Sequence, residues 1–159
     1  ALQQIAEDGV PRAVHLSPTS LAVSTYIPRL RAQLASAPQA AGALWLQVAE
    51  SAAVERFELV RELCKQLRPF GAKVGLERAG ERLARIGNLV ELGLDFVKLD
   101  ASVVEGVADD RARAMHVRSI ASMLHGLGLR VYAEGVSAPD VQELWTCGLD
   151  GMVDLTLQG

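Results

Sequence analysis

Short apolar runs alternate along the chain with longer amphipathic stretches. Six runs read as strands, at residues 12–16, 43–49, 72–77, 94–99, 129–133 and, more weakly, 149–153. LWLQV, FVKL and RVYA within them are β-branched or aromatic, as expected of strands covered on both faces. Helical periodicity fills the gaps. Residues 18–36 hold Leu21, Ile27, Leu30 and Leu34, and residues 52–68 hold Val54, Phe57, Val60, Leu63, Cys64 and Leu67 before Pro69 and Gly71 stop them. A shorter helix is expected at 81–92, closed by Gly93. A long one at 109–127, carrying Met115, Ile120, Met123, Leu124 and Leu127, closes at Gly128. Pro139 falls in the first turn of a last helix, and the Ala/Gln stretch at 35–43 reads as a helix end and loop.

Alternation of this kind implies right-handed βαβ units and a parallel sheet. Two architectures fit the pattern: an open flavodoxin-like sheet, and a (β/α)8 barrel short of about two of its units. No phosphate loop of the GxGxxG or GxxxxGK[ST] type is present, which weakens the nucleotide-fold reading. Polar residues gather where the strands end: His15, Glu50, Glu77 and Arg78, Lys98 and Asp100, Glu134. Parallel α/β folds bind ligands at that end, so these residues are expected to meet at one rim.

The bulk numbers narrow the function classes. With 159 residues, half of them hydrophobic, the chain is expected to form a single soluble domain over 1–159. Its net charge of −3 and low aromatic content argue against a nucleic-acid platform. Cys64 and Cys147 have no metal-ligand or CxxC spacing and fit reduced thiols in a cytoplasmic setting. The first residues lack the pattern of a signal peptide, and no apolar run suits a bilayer, so no direct membrane contact is expected. The chain opens as if inside a helix, as a piece of a larger protein would.

Five segments in order carry a resemblance. VHLSPTSL (14–21) is similar to a VNLSxxxL strand end, LQVAES (46–51) to LEITES, and GLERAG (75–80) stands in the place of LDDFG. FVKLDASVV (96–104) resembles LKIDxSFV, and YAEGV (132–136) resembles AEGVE. In this order and spacing they resemble the EAL domain, the cyclic di-GMP phosphodiesterase family. The resemblance implies a modified TIM-type (β/α)8 barrel, represented here by its C-terminal two-thirds, with about six parallel strands.

Family members hydrolyse cyclic di-GMP with Mg2+ or Mn2+ held by carboxylates and an asparagine, in the manner of two-metal phosphodiester cleavage. At the corresponding positions this chain carries His15 for the asparagine, neutral Gln47 for the first glutamate of LEITES, Glu77 and Arg78 for the two aspartates of DDFG, and Val153 for a late glutamine. Lys98, Asp100, Glu134 and Glu50 match the family pattern. The resemblance therefore implies a degenerate, non-catalytic module with no metal and no cofactor. It would bind cyclic di-GMP through Glu134, Lys98, Asp100, Glu77, Arg78, His15 and Gln47, with Glu50 anchoring the loop after Glu77. The ERxG variant, the IGNL–LGLDFVKLD segment (86–100) and the late LDG look most like the LapD-type receptors. Those are inner-membrane proteins whose cytoplasmic EAL module senses the dinucleotide. Implied partners are cyclic di-GMP, a second copy of the chain, and parent-protein domains such as GGDEF or membrane-sensor modules. The alternatives are a pure interaction module without ligand, and a working phosphodiesterase with an unusual metal site.

Each residue also has a plainer reading. Glu134 is equally simple as a functional carboxylate and as the partner of Lys98 in a buried ion pair. Glu77 and Arg78, adjacent on a strand, are expected to point to opposite sides. Ser51 fits a helix N-cap, and His116 and His125 fit solvent-facing positions. The apolar stripe of 109–127 is expected to pack on the barrel, and surface apolar residues of 81–92 are expected to serve dimerisation.

Overall fold

The structure is a computed structural model that describes residues 1–86 and 88–153. Six strands, β1 (Arg12–Leu16), β2 (Leu44–Ala49), β3 (Lys73–Ala79), β4 (Phe96–Leu99), β5 (Arg130–Glu134) and β6 (Gly151–Val153), join one sheet in chain order. The pairs β1–β2, β4–β5 and β5–β6 run parallel, in the registers Arg12↔Leu44, Phe96↔Arg130 and Tyr132↔Gly151. This is the α/β parallel-strand class expected of the apolar runs. β1 falls on its expected residues, and the other strands shift by one or two positions at their ends.

Nine α-helices accompany the described strands: α1 (Leu2–Asp8), α2 (Pro18–Leu21), α3 (Tyr26–Ser36), α4 (Pro38–Ala41), α5 (Glu50–Glu55), α6 (Phe57–Leu67), α7 (Ala101–Val104), α8 (Arg111–Gly126) and α9 (Val141–Thr146). Several helix expectations need correction. The helix expected at 18–36 is two, α2 and α3. The one expected at 52–68 is also two, because Arg56 (φ −131°, ψ 46°) leaves helical geometry between α5 and α6. Ala49, not Ser51, occupies the N-cap of α5. The expected loop near 35–43 holds α4.

The segment 81–92 forms two 3-10 turns, Leu83–Arg85 and Leu89–Leu92, in place of an α-helix; Gly87 between them lies outside the described residues. Leu83, Ile86, Leu89 and Leu92 of that segment are buried, and Val90 is its exposed large apolar residue. In α8 the buried face is Ala114, Val117, Ala121 and Leu124, whereas Met115 is 62 % exposed and Met123 49 %. Of the expected stripe Leu124 packs, and Ala114, Val117 and Ala121 take the place of the two methionines.

By internal packing the chain divides into two compact units. The first comprises Ala1–Leu76 and Arg82–Leu94, the second Glu77–Glu81 and the residues from Asp95 on. In the first, Leu44, Leu46 and Val48 of β2 are buried with Val60, Leu63 and Leu67 of α6. In the second, all four residues of β4 are buried, together with Val131 and Ala133 of β5 and Val117 and Leu124 of α8.

The second unit also contains a close approach that only glycine permits. Tyr132 meets Phe96 edge-on, with ring centroids 6.0 Å apart, and stands opposite Gly151 in the β5–β6 register. A Cβ on Gly151 would lie 2.8 Å from Cδ1 of the Tyr132 ring. The ring is held by Phe96, so Gly151→Ala is expected to cost about 1–3 kcal/mol. Chemical denaturation checks this, and an unchanged midpoint would mean that the ring yields freely.

Candidate functional site

The end of β3 sets the geometry of the second unit. Strand alternation sends the Glu77 side chain inward, where it is buried. Arg78 then departs from strand geometry: its φ is +50°, the one positive φ on a non-glycine among the described residues. Its amide donates to Glu134 Oε1 at 3.1 Å. One residue further, Ala79 O accepts the amide of Asp100 at 2.9 Å. The expectation that Glu77 and Arg78 point to opposite sides holds for burial, because Glu77 is inside and the Arg78 side chain is 69 % exposed. Even so, the guanidinium leans back over its neighbour, with Nη2 3.8 Å from Glu77 Oε1.

Around this bend stand Lys98, Asp100 and Glu134. Lys98 lies within the wholly buried β4. The Asp100 carboxylate caps α7, accepting the amide of Ser102 at 3.1 Å and its hydroxyl at 2.5 Å. Glu134 ends β5. Burial pushes its carboxyl above the ordinary value; the Lys98 charge and the Arg78 amide oppose that, while the Glu77 and Asp100 carboxylates add to it. The second unit thus brings five of the expected site residues into one electrostatic cluster: three carboxylates with two cations.

In the first unit, His15 on β1 pairs in register with Gln47 on β2. Gln47 is 2 % exposed, and its Oε1 has no hydrogen-bond donor among the described residues. A buried carbonyl without a donor costs about 1–3 kcal/mol, so this atom is ready to accept one. Glu50 opens α5, and its Oε1 accepts the amide of Arg82 at 3.1 Å. That bond supports the loop-anchoring role. The Arg82 guanidinium also approaches Glu55 at 3.9 Å. A cavity of about 530 Å3 opens between α1, α3 and the apolar residues Val14, Leu16, Leu44 and Leu46, and touches none of His15, Gln47 and Glu50.

These donors do not suit a pair of divalent ions. Hard cations take oxygen ligands, preferably carboxylates. Among the described residues no three His, Cys, Asp or Glu side chains are grouped for a metal. Gln47 is neutral, and the carboxylates of the second unit already face the chain's own cations, Arg78 on Glu77 and Lys98 on Glu134. Lys98 matches the family pattern, so the charge that sets this site against a dication is that of Arg78.

Two structural carboxylates had no place in the sequence reading. Asp140 is buried and accepts three hydrogen bonds: Gly106 N at 3.0 Å, Ala108 N at 3.0 Å and Ser137 Oγ at 2.9 Å. Asp150 accepts Val131 N at 2.7 Å and pairs with His125 Nε2 at 2.7 Å, so His125 is committed to a partner. The Ser-x-x-Asp spacing before α9 is the one available signal for Asp140. Cys64 and Cys147 are buried and form no disulfide with each other.

With this geometry in place, a family model described as the EAL domain matches residues 1–152. An uncharacterised protein of Azorhizobium caulinodans is 30 % identical over 124 residues, 78 % of this chain and 17 % of that protein. The cyclic di-GMP phosphodiesterase PdeR of Escherichia coli is 28 % identical over 126 residues, 79 % of this chain and 19 % of its own length. The chain thus spans less than a fifth of those relatives. The EAL domain of Xanthomonas citri FimX, solved with c-diGMP, superposes with a TM-score of 0.83 at 25 % identity, over 93 % of this chain and 61 % of that one. The S helix-GGDEF-EAL portion of Vibrio cholerae LapD, bound to c-di-GMP, shares the fold with a TM-score of 0.81 at 20 % identity, over 93 % of this chain and 37 % of that one. No helix among the described residues is long and apolar enough to cross a membrane.

Proposed function

This chain belongs to the EAL domain family, and on that premise we propose that it is a non-catalytic cyclic di-GMP-binding module that relays its occupancy to an attached domain or partner. One observation carries the reading: Arg78, in the place of a family aspartate, stands 3.8 Å from Glu77, a carboxylate that a divalent ion would need. Hydrolysis of a phosphodiester at neutral pH needs an activated water and a counter-charge for the phosphate. Arg78 and Lys98 supply the second of these, and Arg78 opposes the metal that would supply the first. What remains is a polar rim suited to hold an anionic ligand without cleaving it.

Glu134, Lys98, Asp100, Glu77 and Arg78 are the binding group in the second unit, and His15 and Gln47 in the first, where the donor-less Gln47 Oε1 suits a ligand N–H. Glu50 holds the loop backbone at Arg82. Two buried cysteines held as thiols suit a reducing, cytoplasmic setting. A second copy of the chain, GGDEF-type domains and membrane-sensor modules remain the partners this reading implies.

The test is a calorimetric titration of cyclic di-GMP into the full-length native protein with Mn2+ present, followed by chromatography for the linear dinucleotide. Saturable heat with no linear product is expected. Linear product would establish a working phosphodiesterase and refute the reading. Absence of heat would leave an interaction module without ligand.

A further inference from the structure

We propose that Arg78 is the phosphate-holding residue of the rim, a guanidinium built into the chain that engages one phosphodiester of the dinucleotide where metal-dependent sites use a divalent ion. The inference rests on the cyclic di-GMP reading above and assigns its anion subsite.

The backbone makes the argument. A left-handed conformation on an L-residue with a Cβ is disfavoured and persists only where its surroundings impose it. Here three successive residues are held. The Arg78 amide is bound by Glu134 Oε1 at 3.1 Å. The Ala79 carbonyl is bound by the Asp100 amide at 2.9 Å. Gly80 passes so close to α7 that a Cβ there would lie 2.6 Å from Val103 Cγ2. A rigid main chain therefore carries a side chain that is mostly exposed. This arrangement fixes where the guanidinium starts and leaves its face open, which is the arrangement a binding group needs.

The charge state selects the ligand. The closest carboxylate oxygen to the guanidinium, Glu77 Oε1, is 3.8 Å away, beyond hydrogen-bond length. That distance orients the cation without using its donors. The Asp100 carboxylate is turned to Ser102, accepting its amide and hydroxyl through Oδ2. A planar fork of donors matches two oxygens of a phosphodiester, and a fixed cation excludes a metal from the same place. Glu134 is then a positioning residue for Arg78, through its hydrogen bond to the Arg78 amide.

Arg78→Gly is the informative variant. Glycine adopts a positive φ without strain, so the bend survives while the guanidinium is removed. Affinity of the full-length native protein for cyclic di-GMP is measured in EDTA and in Mn2+, beside Arg78→Gly, Arg78→Lys and the control Arg61→Ala on the surface of α6. The native protein is expected to bind equally with and without Mn2+. Arg78→Gly is expected to bind about 10- to 100-fold more weakly, with its thermal midpoint unchanged or raised. Arg78→Lys should fall between the two, because it keeps the charge and loses the fork. Arg61→Ala should bind as the native protein does. Native-like affinity in Arg78→Gly, or native binding that disappears in EDTA, overturns the assignment while leaving cyclic di-GMP as the ligand. No binding by the native protein in either buffer refutes the underlying reading and this inference with it.

Discussion

Asp140→Ala is expected to lose about 3 kcal/mol of stability at neutral pH, enough to lower the thermal midpoint by roughly 6–12 °C. The carboxylate is buried and is the common acceptor for three donors from two segments, Gly106 and Ala108 on one side and Ser137 on the other. Alanine removes the acceptor and leaves two backbone amides and a hydroxyl without their common partner. Asp140→Asn should fall between. Its one oxygen can replace Oδ2 for Gly106 and Ser137, but its amide nitrogen then faces the Ala108 N–H, donor against donor.

The pH dependence has a definite sign. Burial alone would raise the Asp140 carboxyl, but the bonds from Ala108, Gly106 and Ser137 together hold it below the ordinary value. A carboxyl lowered in the folded state contributes stability that is present above its unfolded pKa and is lost as pH falls through the folded one. Asp150 behaves alike: burial raises it, and Val131, His125 and Arg130 outweigh that. The native chain should therefore lose stability in acid, and Asp140→Ala should lose less. Urea midpoints at neutral pH and in acid measure both. Equal acid sensitivity in native and variant would remove Asp140 from the account.

How much of this was legible in the sequence depended on which residues carried the signal. LWLQV and FVKL located β2 and β4 because strands buried on both faces need continuous apolar runs, and the second run contained Lys98 without interruption. The helices were less legible. Arg56 breaks the helical run with no glycine or proline beside it, and the apolar spacing continues across it. In 81–92 the buried residues Leu83, Ile86, Leu89 and Leu92 recur every third position, the period of the 3-10 turns that form there. Reading α8 by its large residues chose Met115 and Met123, whereas Ala114 and Ala121 lie on the packed face because small residues let the helix approach.

The candidate site divides the same way. Residue types at strand ends located Glu77, Lys98, Asp100 and Glu134, since strand direction alone places them. The left-handed Arg78 was invisible, because no glycine or asparagine marks the position. Asp140 and Asp150 were invisible for a different reason. Two of the three donors to Asp140 and the Val131 donor to Asp150 are backbone amides, and a backbone amide has no letter in the sequence.

Lys98→Met is expected to cost about 2–3 kcal/mol at pH 7.5, by leaving the carboxylates of the second unit without their buried cation. Methionine matches the length and apolar stem of lysine, so packing within β4 is kept and the loss reports charge. Glu134 is the group most affected. Burial already pushes its carboxyl up, Glu77 and Asp100 push the same way, and Lys98 is the leading influence holding it down. Without Lys98 the carboxyl moves further up. A carboxyl raised in the folded state adds stability that is present below its unfolded pKa and is lost as pH rises through the folded one. The gap between native and Lys98→Met should therefore be largest at pH 7.5 and should narrow as the pH is lowered and Glu134 takes up its proton. This is opposite to the trend for Asp140→Ala only in its cause, since both variants lose least in acid. Titration of the Glu134 carboxyl by carbon-detected NMR separates them, because its midpoint should rise in Lys98→Met and stay fixed in Asp140→Ala. A stability gap that ignores pH, with the Glu134 midpoint unmoved, would mean that Lys98 acts by packing alone and that the rim carboxylates are neutralised elsewhere.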